Sequence, residues 1–262
     1  MKFIGKLILT ILFIPLFLIL LIGVTVRFQF LSPSFWQNTF TSCNTYSQLS
    51  ISFKNDLELR TVQAGGKRSD IKALTDLVSP EILKDLINGN IRNILLYANG
   101  KSKEIIVYLP LNKLPTGIIP VSFGKFTENM RLADFMEEFN ISGISDAQIR
   151  TIGRTGAYSW VVLATSIFLA ALIFYLLWLC TEVGKRLIAY GLALIISGTL
   201  TWILSGAGNV VGRNLTTNSS IIKIIVPTII GGVTKVWMII GVGTVILGII
   251  LFFIKKPYNK TK

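Results

Sequence analysis

Four stretches of the chain are almost wholly apolar: Leu7 to Val26, Tyr158 to Cys180, Leu187 to Ser205 and Val236 to Ile254. Each is close to the roughly 20 apolar residues that a helix rising 1.5 Å per residue needs to cross a hydrocarbon core. About 130 residues of mixed, partly charged sequence separate the first stretch from the other three. The pattern predicts an α-helical integral membrane protein with four transmembrane helices and a mainly α, minor β extracytoplasmic domain. The expected divisions are 1–26 for a short cytoplasmic N-terminus and first span, and 27–157 for the outer domain. Residues 158–205 give the second and third spans, 206–235 a second outer segment, and 236–262 the fourth span with a basic tail. The first apolar core is longer than the usual 7 to 15 residues of a secretory signal, and no small-residue cleavage site follows before Arg27. It is therefore expected to stay as a signal anchor, bent at Pro15.

Within 27–157 the periodicities predict several helices and one strand. Ser32 before Pro33 signals a helix start, Tyr46 to Arg60 is helical with poor periodicity, and Ala64-Gly65-Gly66-Lys67 is a break. The strongest helix runs from Ser79 to Asn99, with Ser79 as cap, Pro80 at its first position, Glu81 in its first turn and Gly100 at its end. Leu83, Leu86, Ile87, Ile91, Ile94, Leu95 and Ala98 recur at spacings of three and four, so one face is expected to be buried. The β-branched run Glu104 to Leu109 predicts a strand. The proline- and glycine-rich stretch holding Pro110, Pro115, Gly117, Pro120 and Gly124 predicts an irregular connector. From Thr127 through Phe139 a helix is expected, with Leu132, Phe135, Met136 and Phe139 on one face and Asp134, Glu137 and Glu138 on or near the other. A last helix opens at Ser145-Asp146 and continues as a rod into the second span, weakened by Gly153 and Gly156.

Between the third and fourth spans, Gly206 to Ser220 reads as loop, and Ile221 to Ile230 as an apolar piece too short to span, lying at the outer interface or under the main domain. The third span carries Ala189, Ala193, Ser197, Thr201 and Ser205 at every fourth position, a row of small side chains on which another helix can lie. The fourth span repeats the idea at every seventh position with Thr234, Gly241 and Gly248. No Asp, Glu, Lys, Arg or His interrupts the apolar interiors of the spans, which argues against ion-coupled transport.

Charge supplies the orientation. Lys2, Lys6, Lys185, Arg186, Lys255, Lys256, Lys260 and Lys262 stand against Glu182 alone in short segments beside span ends, so the positive-inside rule makes those segments, and both termini, cytoplasmic. The 27–157 segment holds fifteen Lys and Arg against twelve Asp and Glu, and long domains translocate largely regardless of charge. Trp160, Trp202 and Trp237 are expected at the outer interface, and Trp178, Tyr190 and Tyr258 at the inner one. The net charge of +13 fits topology and the lipid bilayer as partner better than nucleic acid. Cys43 falls outside and Cys180 at the inner end of the second span, so they are not expected to bridge, and Cys43 is expected to be a buried, unreactive thiol.

The chain has no histidine, which removes Ser-His-Asp and Cys-His catalysis and histidine metal sites. No P-loop or dinucleotide fingerprint is present, and the acidic cluster at Asp134, Glu137 and Glu138 lacks the alternating ligands and glycine of a calcium loop. A non-enzymatic protein without a cofactor or a resident metal is the expectation.

Ser32, Pro33, Phe35 and Trp36, then Tyr46 and Leu49, then Pro80, Glu81 and Leu83 follow the first span in order. In this layout the chain resembles a loose group of uncharacterised bacterial envelope proteins with a signal anchor, a helical outer domain and three closing spans. The resemblance implies a multi-pass protein of the bacterial cytoplasmic membrane. The plan is also similar to extracytoplasmic-loop ABC permeases, which transmit conformational change between an ATPase and an outer partner. The expected function is an envelope binding or scaffolding protein whose outer domain engages an envelope protein or a second copy of itself. A transport-system component is the alternative.

Overall fold

The computed structural model describes residues 2–63, 65, 78–113, 127–138, 145–214, 217 and 219–254. In chain order the elements are α1 (Lys2–Val24), a π-helical turn (Thr25–Phe30), α2 (Pro33–Ser42), α3 (Thr45–Gln63), α4 (Pro80–Ala98) and β1 (Ile106–Tyr108). There follow β2 (Asn129–Arg131), α5 (Leu132–Glu138), α6 (Asp146–Cys180), α7 (Arg186–Arg213) and α8 (Ser220–Phe253). The chain divides into two units. One comprises Met1–Gln29, Tyr158–Asn214 and Ile230–Lys262, and the other Phe30–Ala157 and Leu215–Ile229.

Four helices among the described residues are long and apolar enough to cross a membrane: Ile4–Phe30, Asp146–Cys180, Val183–Gly212 and Ser220–Phe253, each holding an 18-residue stretch of mean hydropathy 3.1, 2.4, 2.0 and 2.6 respectively. In the first unit hydroxyl side chains are buried beside the apolar centre while many large apolar side chains lie outside. Thr25, Ser159, Ser166, Ser197, Thr201 and Ser205 are buried, whereas Phe168, Val161 and Ile239 are more than 60% exposed. Its apolar centre joins Phe13 and Leu16 of α1 to Ala170 of α6 and Ala193 of α7, with the Phe13 ring 4.8 Å from that of Phe174. The inner hydroxyls of Thr25, Ser166 and Thr201 return to carbonyls four residues back, which satisfies them without water.

The second unit is built around α4. Ser79 Oγ accepts from the Ile82 amide at 3.3 Å and Pro80 takes the first helical position. At the other end Gly100 turns the chain at φ +69°, so that Lys101 N–H bonds the Leu96 carbonyl. Leu83, Leu95 and Ala98 are buried, but Ile94, expected on the same face, is 39% exposed. Below α4 the rings of Phe30, Phe35, Trp36, Phe40 and Tyr46 follow one another at centroid spacings of 5.8 to 6.0 Å. Trp36 Nε1 donates to the Phe30 carbonyl, which fixes the entry into α2.

Several expectations are corrected. The stretch from Thr127 is not helical from its start: Asn129–Arg131 is a strand, antiparallel to β1 with Ile106 opposite Arg131, Val107 opposite Met130 and Tyr108 opposite Asn129. The ladder of β1 wins over the local helical pattern, and the helix begins only at Leu132. The loop expected from Gly206 is helix as far as Arg213, because the small residues there pack against α8. Ile221 to Ile230 is no separate piece but the first part of α8, which runs through Pro227. Cys43 is exposed, standing at the turn that Asn44 makes at φ 53°. The break around Ala64 to Lys67 shows at Gly65, at φ +78°; Ala64, Gly66 and Lys67 lie outside the described residues. So do Pro115 to Gly124, Phe139, Asn140 to Ser142, Leu215, Thr216, Asn218 and the basic tail Lys255 to Lys262 with Tyr258.

Candidate functional site

The second unit's small sheet is held on α4 by asparagines. Asn90 lies one residue after Gly89, over which the Tyr108 ring is laid so closely that a Cβ at Gly89 would meet it. From there the Asn90 amide group binds Tyr108 twice: Oδ1 accepts from Tyr108 N–H at 2.9 Å and Nδ2 donates to the Tyr108 carbonyl at 2.8 Å. One turn on, Asn93 Nδ2 donates to the Ile106 carbonyl at 2.9 Å. These amides occupy the edge of β1 that faces away from β2, as a third strand would. Asn88 of the same helix accepts from the Tyr46 hydroxyl at 2.6 Å. Sequence reasoning missed this use. Its signal was available: Asn88-Gly89-Asn90 and Asn93 are poor helix formers in the middle of the best helix, which argues that their side chains are needed elsewhere.

The sheet positions Arg131 between two grooves. One, of about 210 Å³, has Ile105, Leu132, Ala133 and Ile149 as its apolar wall and Tyr97, Lys103, Glu104 and Arg131 around it. Its α6 side depends on the two glycines that were expected to weaken that helix. A Cβ at Gly153 would lie 2.9 Å from the Tyr97 ring, and one at Gly156 would lie 2.5 Å from the Ala98 carbonyl oxygen. Glycine there is what lets the end of α4 lie against α6. The other groove, of about 610 Å³, is polar and runs past Thr127, Asn129 and Arg131 to Asp134, Glu137 and Glu138. Arg131 grips Asp134 with both prongs, Nε to Oδ2 at 2.8 Å and a terminal nitrogen to Oδ1 at 2.9 Å. That hydrogen bonding, the attraction of Asp134 and a smaller pull from Glu104 raise its pKa above the ordinary value. The arrangement offers an apolar surface, charges of both signs and an aromatic ring, which suits recognition of a polar or peptide partner. Among the described residues no group of three or more His, Cys, Asp or Glu converges as a metal site would.

The small residues singled out in the spans lie at helix contacts of the first unit. Ala193, Ser197, Thr201 and Ser205 are at most 2% exposed, and Ala189, at the end of the row, is half-buried. Gly241 and Gly248, singled out on the fourth span, meet a second row on α7 that was not foreseen. Gly191 and Gly198 of α7 face Gly248 and Gly241 of α8 backbone to backbone: a Cβ at Gly198 would stand 2.7 Å from the Gly241 oxygen, and one at Gly248 would stand 2.8 Å from the Gly191 oxygen. Seven residues after Gly198, Ser205 Oγ donates to the carbonyl of Thr234, and Thr234 Oγ1 lies 2.8 Å from Asn209 Oδ1, to which it donates. The antiparallel seam thus matches Gly191, Gly198 and Ser205 with Gly248, Gly241 and Thr234, a seven-residue repeat on both helices.

The four tryptophans chosen as interface anchors have different surroundings. Trp160 and Trp178 of α6 each carry an arginine on the ring face, Arg27 at 4.6 Å and Arg186 at 4.1 Å. Trp202 is 53% exposed. Trp237 is half-buried and its indole donates to Thr25 Oγ1 at 2.7 Å, which ties α8 to the start of the π-helical turn.

No protein-family model, no curated protein and no solved structure matches the chain.

Proposed function

We propose that this chain is a multi-pass protein of the bacterial cytoplasmic membrane, with both termini cytoplasmic. In this reading it is a non-enzymatic binding or scaffolding protein whose 27–157 domain engages a protein partner outside. The observation that carries the binding role is Arg131, set on a braced strand between an apolar-walled groove and an acidic one. The burial of hydroxyls in the first unit, with many large apolar side chains outside, supports the membrane part of the reading. The test is an affinity pull-down of the intact protein in mild detergent from its own host, with mass spectrometry of what stays bound, run beside Arg131→Glu. Loss of a bound envelope protein, or of self-association, from the variant supports the reading. The same set of bound proteins from both would overturn the assignment to these grooves. The unbroken helix Asp146–Cys180 favours a second reading, a transport-system component that transmits conformational change, and co-purification of an ATPase would select it.

A further inference from the structure

In the first unit a groove of about 370 Å³ opens among Phe174, Tyr175 and Trp178 of α6, Tyr190 and Leu194 of α7 and Leu251 of α8. Its lining is aromatic and aliphatic, and its Tyr190 hydroxyl is already committed to the Phe174 carbonyl at 2.9 Å. Such a surface makes no demand for a polar ligand group along its length. The demand lies beside it. Trp178 carries the Arg186 guanidinium on its ring at 4.1 Å, and Arg186 Nε donates to the Thr181 carbonyl at 3.2 Å. Stacking and that bond together hold the plane of the guanidinium, whose fork of donors matches a phosphate.

We propose that this groove holds an anionic phospholipid, one acyl chain along the aromatic lining and the phosphate against Arg186 and Lys185. The inference rests on the membrane reading given above, and two observations carry it further. Charge is complementary: Lys185 and Arg186 stand beside one carboxylate, Glu182, which pairs with Lys185 at 2.9 Å. The N-terminus of α7 agrees in sign, because that helix begins at Arg186 with no side-chain cap hydrogen bond, and an anion is favoured there. An apolar groove with an arginine stacked on one of its lining rings, at the end of an apolar helix, is the arrangement that distinguishes an anionic from a zwitterionic lipid.

The experiment is native mass spectrometry of the full chain in mild detergent, with phosphatidylglycerol or phosphatidylcholine of identical acyl chains added. The wild type is expected to retain phosphatidylglycerol about tenfold better, equivalent to ~1.4 kcal/mol. Arg186→Gln is expected to bring the two lipids near parity, while Arg27→Gln, which unstacks the other arginine–tryptophan pair, leaves the preference intact. Leu194→Trp, which fills the groove, is expected to reduce retention of both lipids. Equal retention by the wild type overturns the proposal without any variant having to fold. An unchanged preference in Arg186→Gln, or equal losses in Arg186→Gln and Arg27→Gln, also overturns it. Alkaline carbonate washing of host membranes is run alongside: release of the protein would sink the membrane reading itself, whereas retention without lipid preference sinks only the lipid site.

Discussion

The two units hold their helices together by opposite means. In the second unit, large rings from Phe30 to Tyr46 fill the space between helices, and asparagine side chains close the edge of a strand. In the first, α7 and α8 meet where side chains are missing, at Gly191, Gly198, Gly241 and Gly248, and hydroxyls lie inside while Phe168 and Ile239 lie outside. On the membrane reading proposed above, the hydrophobic effect accounts for the contrast. In water, burial of an aromatic ring drives association, so contacts use large residues. Among lipid tails it gives helices no reason to meet, and what remains is close van der Waals approach of backbones through small residues. The packing of the first unit is therefore intelligible for a unit surrounded by lipid, and that of the second for one surrounded by water.

The largest effect that can break this comparison is Gly198→Leu. Its Cβ would stand 2.7 Å from the Gly241 oxygen and 2.9 Å from the Val245 nitrogen, both backbone atoms that cannot turn aside. The helices must separate, at a cost of about 3 kcal/mol on the scale of overpacked sites. The expected result is a lower melting temperature in detergent, with faster amide exchange confined to α7 and α8. Gly243→Ala is the internal control, since nothing lies within 4 Å of its added carbon, and it is expected to melt like the parent. Equal behaviour of the two variants would refute backbone contact as the basis of this seam.

The matching test in the second unit is Asn90→Leu. It removes both bonds to Tyr108 and leaves a partly buried strand amide and carbonyl without partners, a loss of about 2 kcal/mol. Faster exchange at Val107 and Tyr108, with α7 and α8 unchanged, is the expected pattern. Exchange unaffected at Tyr108 would mean that the asparagine edge does not stabilise β1.

How much of this was legible in the sequence follows from which signals are local. The four long apolar helices were legible because apolar length alone defines them, and the cap of α4 because Ser79, Pro80 and Gly100 each act within one turn. Asn129–Arg131 was not, because three residues are too few to show an alternation and the strand's partner, Ile106–Tyr108, lies far back in the chain. The small-residue row on α7 was visible from its spacing of four. Gly191 and Gly198 were not singled out, because their meaning depends on the glycines of α8 opposite them. The grooves were invisible for a similar reason. Tyr97, Glu104, Arg131 and Ile149 come from four separate segments, and only the fold brings them together.

A smaller effect, and one with a pH signature, belongs to Tyr46. Its side chain is 6% exposed, and burial raises its pKa above the ordinary 10.0. A folded-state pKa above the unfolded value means that the folded state holds the proton longer. That contribution is fully present below pH 10 and is lost as pH rises through the folded pKa. Tyr46→Phe is expected to cost about 1 kcal/mol at neutral pH through the lost bond to Asn88. It should also flatten the decline in stability above pH 10, read as amide exchange in α4 across that range. A variant with the parent's alkaline slope would show that another group governs it.

The smallest expected effect separates shape from hydrogen bonding in the first unit. Ser205 and Ser197 are both buried on α7, but Ser205 Oγ donates across to the Thr234 carbonyl at 2.7 Å, whereas Ser197 Oγ has no partner among the described residues. If small size alone brings serine to these positions, alanine should serve equally at both. If the bond to Thr234 adds to the packing, Ser205→Ala should lose about 0.6 kcal/mol, the usual worth of an interhelical bond in lipid, and Ser197→Ala should lose nothing or gain slightly. Thermal unfolding in detergent of the two variants and their double mutant resolves the difference, since the sites lie two turns apart and their effects should add. Equal losses at both serines would leave close packing as the whole explanation of the row, and a loss at Ser205 alone would add the hydrogen bond to Thr234 as a second contact holding α7 to α8.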